Sequence, residues 1–166
     1  MVLGMSLATF TAVHVVISLI GIAAGLIVVV GMLSASRLPG WTALFLSTTV
    51  LTSVTGFFFP AAHVLPSHIV GVISLAVLPV TIVALYAKRL AGSWRWIYVT
   101  GSVLALYLNS FVGVVQAFLK VPALNGLAPT QSEPPFLVAQ LMVVALFVVL
   151  GTRAVMKFRP TAPRPG

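Results

Sequence analysis

Few side chains in this sequence can do chemistry, and their spacing is informative. The chain has three histidines, His14, His63 and His68, and one carboxylic acid, Glu133, in 166 residues. Imidazole can ligate iron or exchange a proton near neutral pH. His14 and His68 open two similar stretches, HVVISLIGI and HIVGVISLA. Further on, Tyr98, Ser102, Ala105, Asn109, Gly113, Gln116 and Lys120 follow one another at steps of three or four. That spacing puts them on one face of a helix. Gln140 lies in the next apolar stretch. Amides are costly in hydrocarbon unless they are bonded, so Asn109, Gln116 and Gln140 must face other helices or a cavity.

Each of these residues also has a purely structural reading. Asn109, Gln116 and Gln140 can tie helices together by hydrogen bonds. Thr48, Thr52 and Thr55 can bond carbonyls one turn back on their own helix. Ser132-Glu133-Pro134-Pro135 reads as a helix start, with Ser132 as the cap and an acid placed well for the helix dipole. Alternatively, Glu133 pairs with Lys120 or exchanges protons with a ligand.

Composition excludes much. A single acid rules out paired-carboxylate hydrolysis, di-metal carboxylate sites and relays of several buried acids. The absence of cysteine rules out disulfides, thiolate zinc sites and iron–sulfur clusters. The nucleotide-binding, zinc-protease and nucleophile-elbow motifs are absent too. No residue is assigned a catalytic role, and the reading leans away from an enzyme.

The elements that must position these residues are membrane spans. Of the chain, 60% is hydrophobic and 6% charged, with a mean hydropathy of +1.19. Soluble domains carry roughly 25% charged residues. Continuous apolar runs near 9–34, 41–59, 68–87, 95–119 and 135–152 each approach the roughly 20 residues needed to cross a bilayer as a helix. The expected fold is therefore an all-α, polytopic membrane bundle of five helices. Residues 1–152 form one transmembrane domain, and 153–166 form a basic, Pro-rich tail. The start, MVLGMSLATF, has no positively charged leader region and reads as the approach to the first span. Pro79 should kink the third span. Gly21 and Gly25 offer a close-packing face.

Charge sets the orientation. Arg37, Lys88, Arg89, Arg95, Arg153, Lys157, Arg159 and Arg164 fall on one side of a five-span chain. Lys120 and Glu133 fall on the other. The positive-inside rule makes the basic side cytoplasmic, so the N-terminus is outside and the C-terminus inside. The net charge of +8 is then a topology signal and a contact with anionic lipid at the cytoplasmic face, not a nucleic-acid surface.

The first four spans also suggest a tandem repeat of a two-helix unit, with the fifth span added. Arg37-Leu38-Pro39-Gly40-Trp41 resembles Arg89-Leu90-Ala91-Gly92-Ser93-Trp94, and each Arg follows its histidine by 23 or 21 residues. At about 1.5 Å per residue, each histidine lies roughly 30–35 Å from its arginine, so His14 and His68 share one depth near the outer face.

LYLNSFVGVVQAFLKVPAL (106–124) and LAPTQSEPPF (127–136) resemble a group of small, uncharacterised bacterial inner-membrane proteins. The resemblance implies a bacterial inner membrane and no particular activity. Three functions stay open. One is an outer-face pocket built from His14, His68, Asn109, Gln116, Lys120, Glu133 and Gln140. It would hold haem b, with His14 and His68 as iron ligands, or a quinone or lipid headgroup. The second is an accessory or assembly subunit bound to a membrane-protein partner or to further copies of itself. The third is a small transporter or channel.

Overall fold

The computed structural model describes residues 1–61 and 66–159. His63 and the residues beyond Arg159, including Arg164, lie outside the described residues. Among the described residues six α-helices follow one another: α1 (Leu7–Leu33), α2 (Pro39–Gly56), α3 (Pro66–Ile82), α4 (Trp94–Lys120), the short α5 (Pro122–Leu127) and α6 (Pro134–Lys157). Among the described residues there is no strand.

The helix ends follow local chemistry. Ser6 caps α1, its hydroxyl accepting the Thr9 N–H at 3.1 Å. At the other end, Ala35 takes a left-handed conformation (φ +53°). Its N–H reaches Met32 O, and the Ser36 N–H reaches Gly31 O at 2.9 Å. Those two bonds satisfy carbonyls that a helix end leaves open. Prolines start α2, α3, α5 and α6, where a missing N–H costs nothing. Pro79 sits inside α3, and a π-helical turn, Val83–Ala87, continues that helix. Glu133, not Ser132, occupies the cap position of α6, and its side chain makes no capping bond to the helix. Helix α6 runs on to Lys157, so Arg153 and Lys157 are helical rather than part of a tail.

Among the described residues, four helices are long and apolar enough to cross a membrane: α1, α3 with its π turn (Pro66–Ala87), α4 and α6. The 18-residue α2 is rich in Thr and Ser and less apolar.

The core is apolar, with Phe10, Phe45, Leu78 and Leu106 among its side chains, but it takes in polar groups, and the outer surface is apolar as well. Thr42, Thr48, Thr49, Ser74, Thr81, Ser102, Asn109 and Gln140 are buried, while many Leu, Ile, Val and Phe side chains are exposed. Lipid tails solvate such a surface; water would not. Helices α1 to α4 form a ring in which each packs on the next and α4 closes on α1; α6 lies against α4 and, more lightly, α1. Only 11% of the most apolar window of α6 is buried, so it is the peripheral helix. The close approach depends on glycine. A Cβ on Gly25 would stand 2.6 Å from Leu106 Cδ1 and 2.8 Å from the Phe45 ring. One on Gly21 would stand 3.1 Å from Thr48 Oγ1 and 3.2 Å from Asn109 Nδ2.

Candidate functional site

The antiparallel α1–α2 pair and the α3–α4 pair part at one end of the ring, where α1 and α3 begin and α4 ends. A cavity of about 420 Å³ opens between them. Small-molecule sites typically run from about 300 to 1,000 Å³. His14 and Thr11 come from α1, Thr52 and Ser53 from α2, His68 and Ser67 from α3, and Asn109, Gln116 and Lys120 from α4. Leu7, Val15, Phe57, Phe59, Leu108 and Val112 supply the apolar wall. Five of the seven residues marked by the sequence thus border one space. Glu133 and Gln140 do not line it.

The two histidines are held differently. His14 Nδ1 lies 2.8 Å from Thr55 Oγ1. The Thr55 hydroxyl already donates to Leu51 O at 2.6 Å, so its remaining capacity is as an acceptor. Nδ1 therefore carries the proton, and Nε2 is left as the acceptor or ligand atom. The edge of the ring meets Phe59, with centroids 5.0 Å apart at 85°. His68 lies nearly parallel to Phe57, with centroids 5.6 Å apart at 15°. Among the described residues, no group of three or more His, Cys, Asp or Glu could hold a metal ion.

The amides divide by role. Asn109 is buried and tied to α1: Ser18 Oγ donates to its Oδ1 at 2.8 Å, and its Nδ2 reaches Ser18 O at 3.4 Å. Gln140 donates to Phe111 O at 3.3 Å and binds α6 to α4. Two more amides join it along α4: Gln131 donates to Val115 O and Asn125 to Phe118 O. Gln140 thus belongs to a set of staples that fold the 121–133 segment and α6 onto α4. Glu133 is drawn into its own loop, accepting from the Thr130 N–H and hydroxyl and from the Ser132 N–H. Desolvation is the largest single influence on its pKa and pushes it up, but its own backbone N–H and the Thr130 and Ser132 donors together outweigh it and hold the carboxyl below the usual range.

No protein-family model, curated protein or solved structure matches this chain.

What the cavity can do follows from its own groups. Gln116 is half-buried and Lys120 exposed at the end of α4, and both are donors. His14 Nε2 is an acceptor. The Thr52 hydroxyl is buried and has no partner, unlike those of Thr48, Thr49, Ser53 and Thr55, which bond the carbonyl one turn back. The sequence had offered that same local role for Thr52. Its spacing could not show that Thr55 orients His14, or that Ser18 fixes Asn109, because these pairs stand 41 and 91 residues apart.

Proposed function

We propose that the protein is a multi-pass membrane protein whose cavity binds a membrane-soluble ligand with a polar, hydrogen-bond-accepting head, a quinone being the class that fits best. The observation that carries this is the convergence of His14, Thr52, Gln116 and Lys120, from three helices, on a cavity with an apolar wall. Carbonyl oxygens would accept from Gln116 and Lys120. A hydroxyl on the reduced head would donate to His14 Nε2. Phe57, Phe59 and Leu108 offer a surface for a flat ring or an alkyl chain. No carboxylate borders the cavity, which suits a neutral or anionic head and disfavours a cation.

The same reading includes five crossings, with α2 as the short one. Its 18 residues span about 27 Å at 1.5 Å each, close to the hydrocarbon thickness of about 30 Å. Its hydroxyls are largely tucked onto its own carbonyls. The N-terminus is then outside and the C-terminus inside, in a bacterial inner membrane. The closed ring α1–α2–α3–α4 is what a tandem pair of hairpins would make, since exchanging the halves preserves every neighbour. On this orientation the cavity opens at the outer face.

One observation favours a second reading. His14 has its Nδ1–H fixed by a hydroxyl and its Nε2 left open, the arrangement that prepares a histidine to ligate a metal. Haem b between His14 and His68 is therefore the alternative occupant. Mass spectrometry and a visible spectrum on one gently purified sample separate these readings. A stoichiometric, colourless lipid-soluble molecule that is lost in Gln116→Leu supports the first. A Soret band abolished by His14→Ala supports the second. Protein with neither, purified from cells that make both, rejects a ligand cavity and favours an accessory subunit recovered with a fixed partner.

A further inference from the structure

A second cavity, of about 300 Å³, lies at the opposite end of the ring, between the α1–α2 turn and the α3–α4 turn. Arg37 and Arg89 both line it, with Ser36, Thr42, Tyr86 and Tyr98. Val28, Met32 and Leu85 continue it toward the membrane interior. We propose that this cavity binds a phosphate group, carried by a membrane lipid or free in solution, between Arg37 and Arg89.

Three observations carry the proposal. First, neither guanidinium has a counter-ion among the described residues. The one acidic side chain, Glu133, sits beyond the far end of α4 and is occupied by Thr130 and Ser132. No acidic side chain is therefore placed to neutralise the two arginines that line this cavity, and the cavity is open to an anion. Second, two other cations at this end are already used. Arg95 donates from Nη1 to Phe158 O at 2.7 Å and to Val155 O at 2.9 Å. Lys88 stands over the Trp94 ring, 5.4 Å from its centroid. Among the described residues Arg37 and Arg89 have no such contact, and they are the two cations that line the cavity. Third, the α3–α4 turn is left-handed without glycine at Arg89 itself (φ +49°) and at Leu90 (φ +63°). Such residues are strained and persist where the surroundings hold them, often at binding sites.

The chemistry fits a phosphate. Guanidinium forks meet phosphate oxygens with two parallel bonds each. Hydroxyls of Ser36, Thr42 and the tyrosines can donate to the remaining oxygens. The apolar continuation past Val28 and Met32 would receive the start of an acyl chain.

The test compares lipid retention by native mass spectrometry on the full chain in detergent. The probes are phosphatidylglycerol, phosphatidylcholine and inorganic phosphate. The variants are Arg37→Gln/Arg89→Gln and a charge-matched control, Arg153→Gln/Lys157→Gln. The expected result is one phosphatidylglycerol per chain in the wild type and the control, weakened about tenfold or more in the arginine pair. If inorganic phosphate binds at one equivalent with the same arginine dependence and phosphatidylglycerol does not, the source is free phosphate and the site stands. If the glutamine pair fails to fold, Arg37→Lys/Arg89→Lys keeps the charge, loses the fork and must still weaken retention. Equal loss in the charge-matched control, or retention unaffected by either arginine pair, overturns the proposal.

Discussion

Gly25→Ala is the sharpest probe of how the ring is built. The added Cβ would lie 2.6 Å from Leu106 Cδ1 and 2.8 and 2.9 Å from two Phe45 ring carbons. Unstrained carbon contacts sit near 3.5–4.0 Å, so the shortfall is about 1 Å on two sides. Neither neighbour has room to yield, since Leu106 and Phe45 are 0% and 1% exposed. Overpacking of this kind costs about 1–3 kcal/mol. Replacing a helical glycine by alanine returns up to about 1 kcal/mol. The net loss should be about 1–2 kcal/mol, or roughly a 5–30-fold fall in the folded-to-unfolded ratio. Gly113→Ala is the control: its Cβ would meet only Ile22 Cδ1 at 3.5 Å, an ordinary contact, so it should be neutral or stabilising. The assay is reversible unfolding in mixed micelles, followed by circular dichroism. Equal stability of Gly25→Ala and Gly113→Ala would refute the close α1–α2–α4 junction.

Other outcomes follow from single contacts. Asn109→Leu should lose about 0.6–1.7 kcal/mol, and a double-mutant cycle with Ser18→Ala should assign most of it to that pair. Arg95→Gln should raise hydrogen exchange in residues 153–159 while sparing the start of α6, because two carbonyls there lose a charged donor. Glu133 has its carboxyl pKa held low in the fold, so its contribution is present above the ordinary carboxylate range and lost as pH falls through the folded value. Exchange in the 128–137 segment should therefore rise on acidification, and Glu133→Gln should remove that dependence. The chain has no cysteine, so single thiols report sidedness cleanly. Ser6→Cys should react with an impermeant maleimide from outside, and Lys157→Cys only after permeabilisation; labelling from the same side would mean an even number of crossings.

The sequence made the bundle legible because lipid imposes so simple a rule. Long apolar runs must be helices, and α1, α3 with its π turn, and α4 begin and end within two residues of the expected limits. The end of α6 was misplaced because Arg153 and Lys157 read as a boundary. A helix can carry such side chains outward to headgroups without stopping. The face from Tyr98 to Lys120 was visible as a helical spacing, and Asn109, Gln116 and Lys120 on it do border the cavity with His14 and His68. What could not be read was the division of labour among identical amides. Gln116 lines the cavity and Gln140 staples α6, yet both are isolated glutamines in apolar runs. Only packing across helices distinguishes them. Glu133 was misleading for a related reason: a lone acid invites a charged partner, whereas the backbone N–H groups of Thr130 and Ser132 satisfy it without one.

Photoaffinity labelling with an azido-quinone tests the central reading most directly, because the bundle offers the probe two different places. The account predicts saturable labelling on peptides covering 7–15, 52–60 and 108–120, competed by unmodified quinone and reduced in Gln116→Leu. Labelling confined to the apolar groove between α4 and α6, around Tyr107, Phe147 and Gly151, or labelling that never saturates, would contradict it.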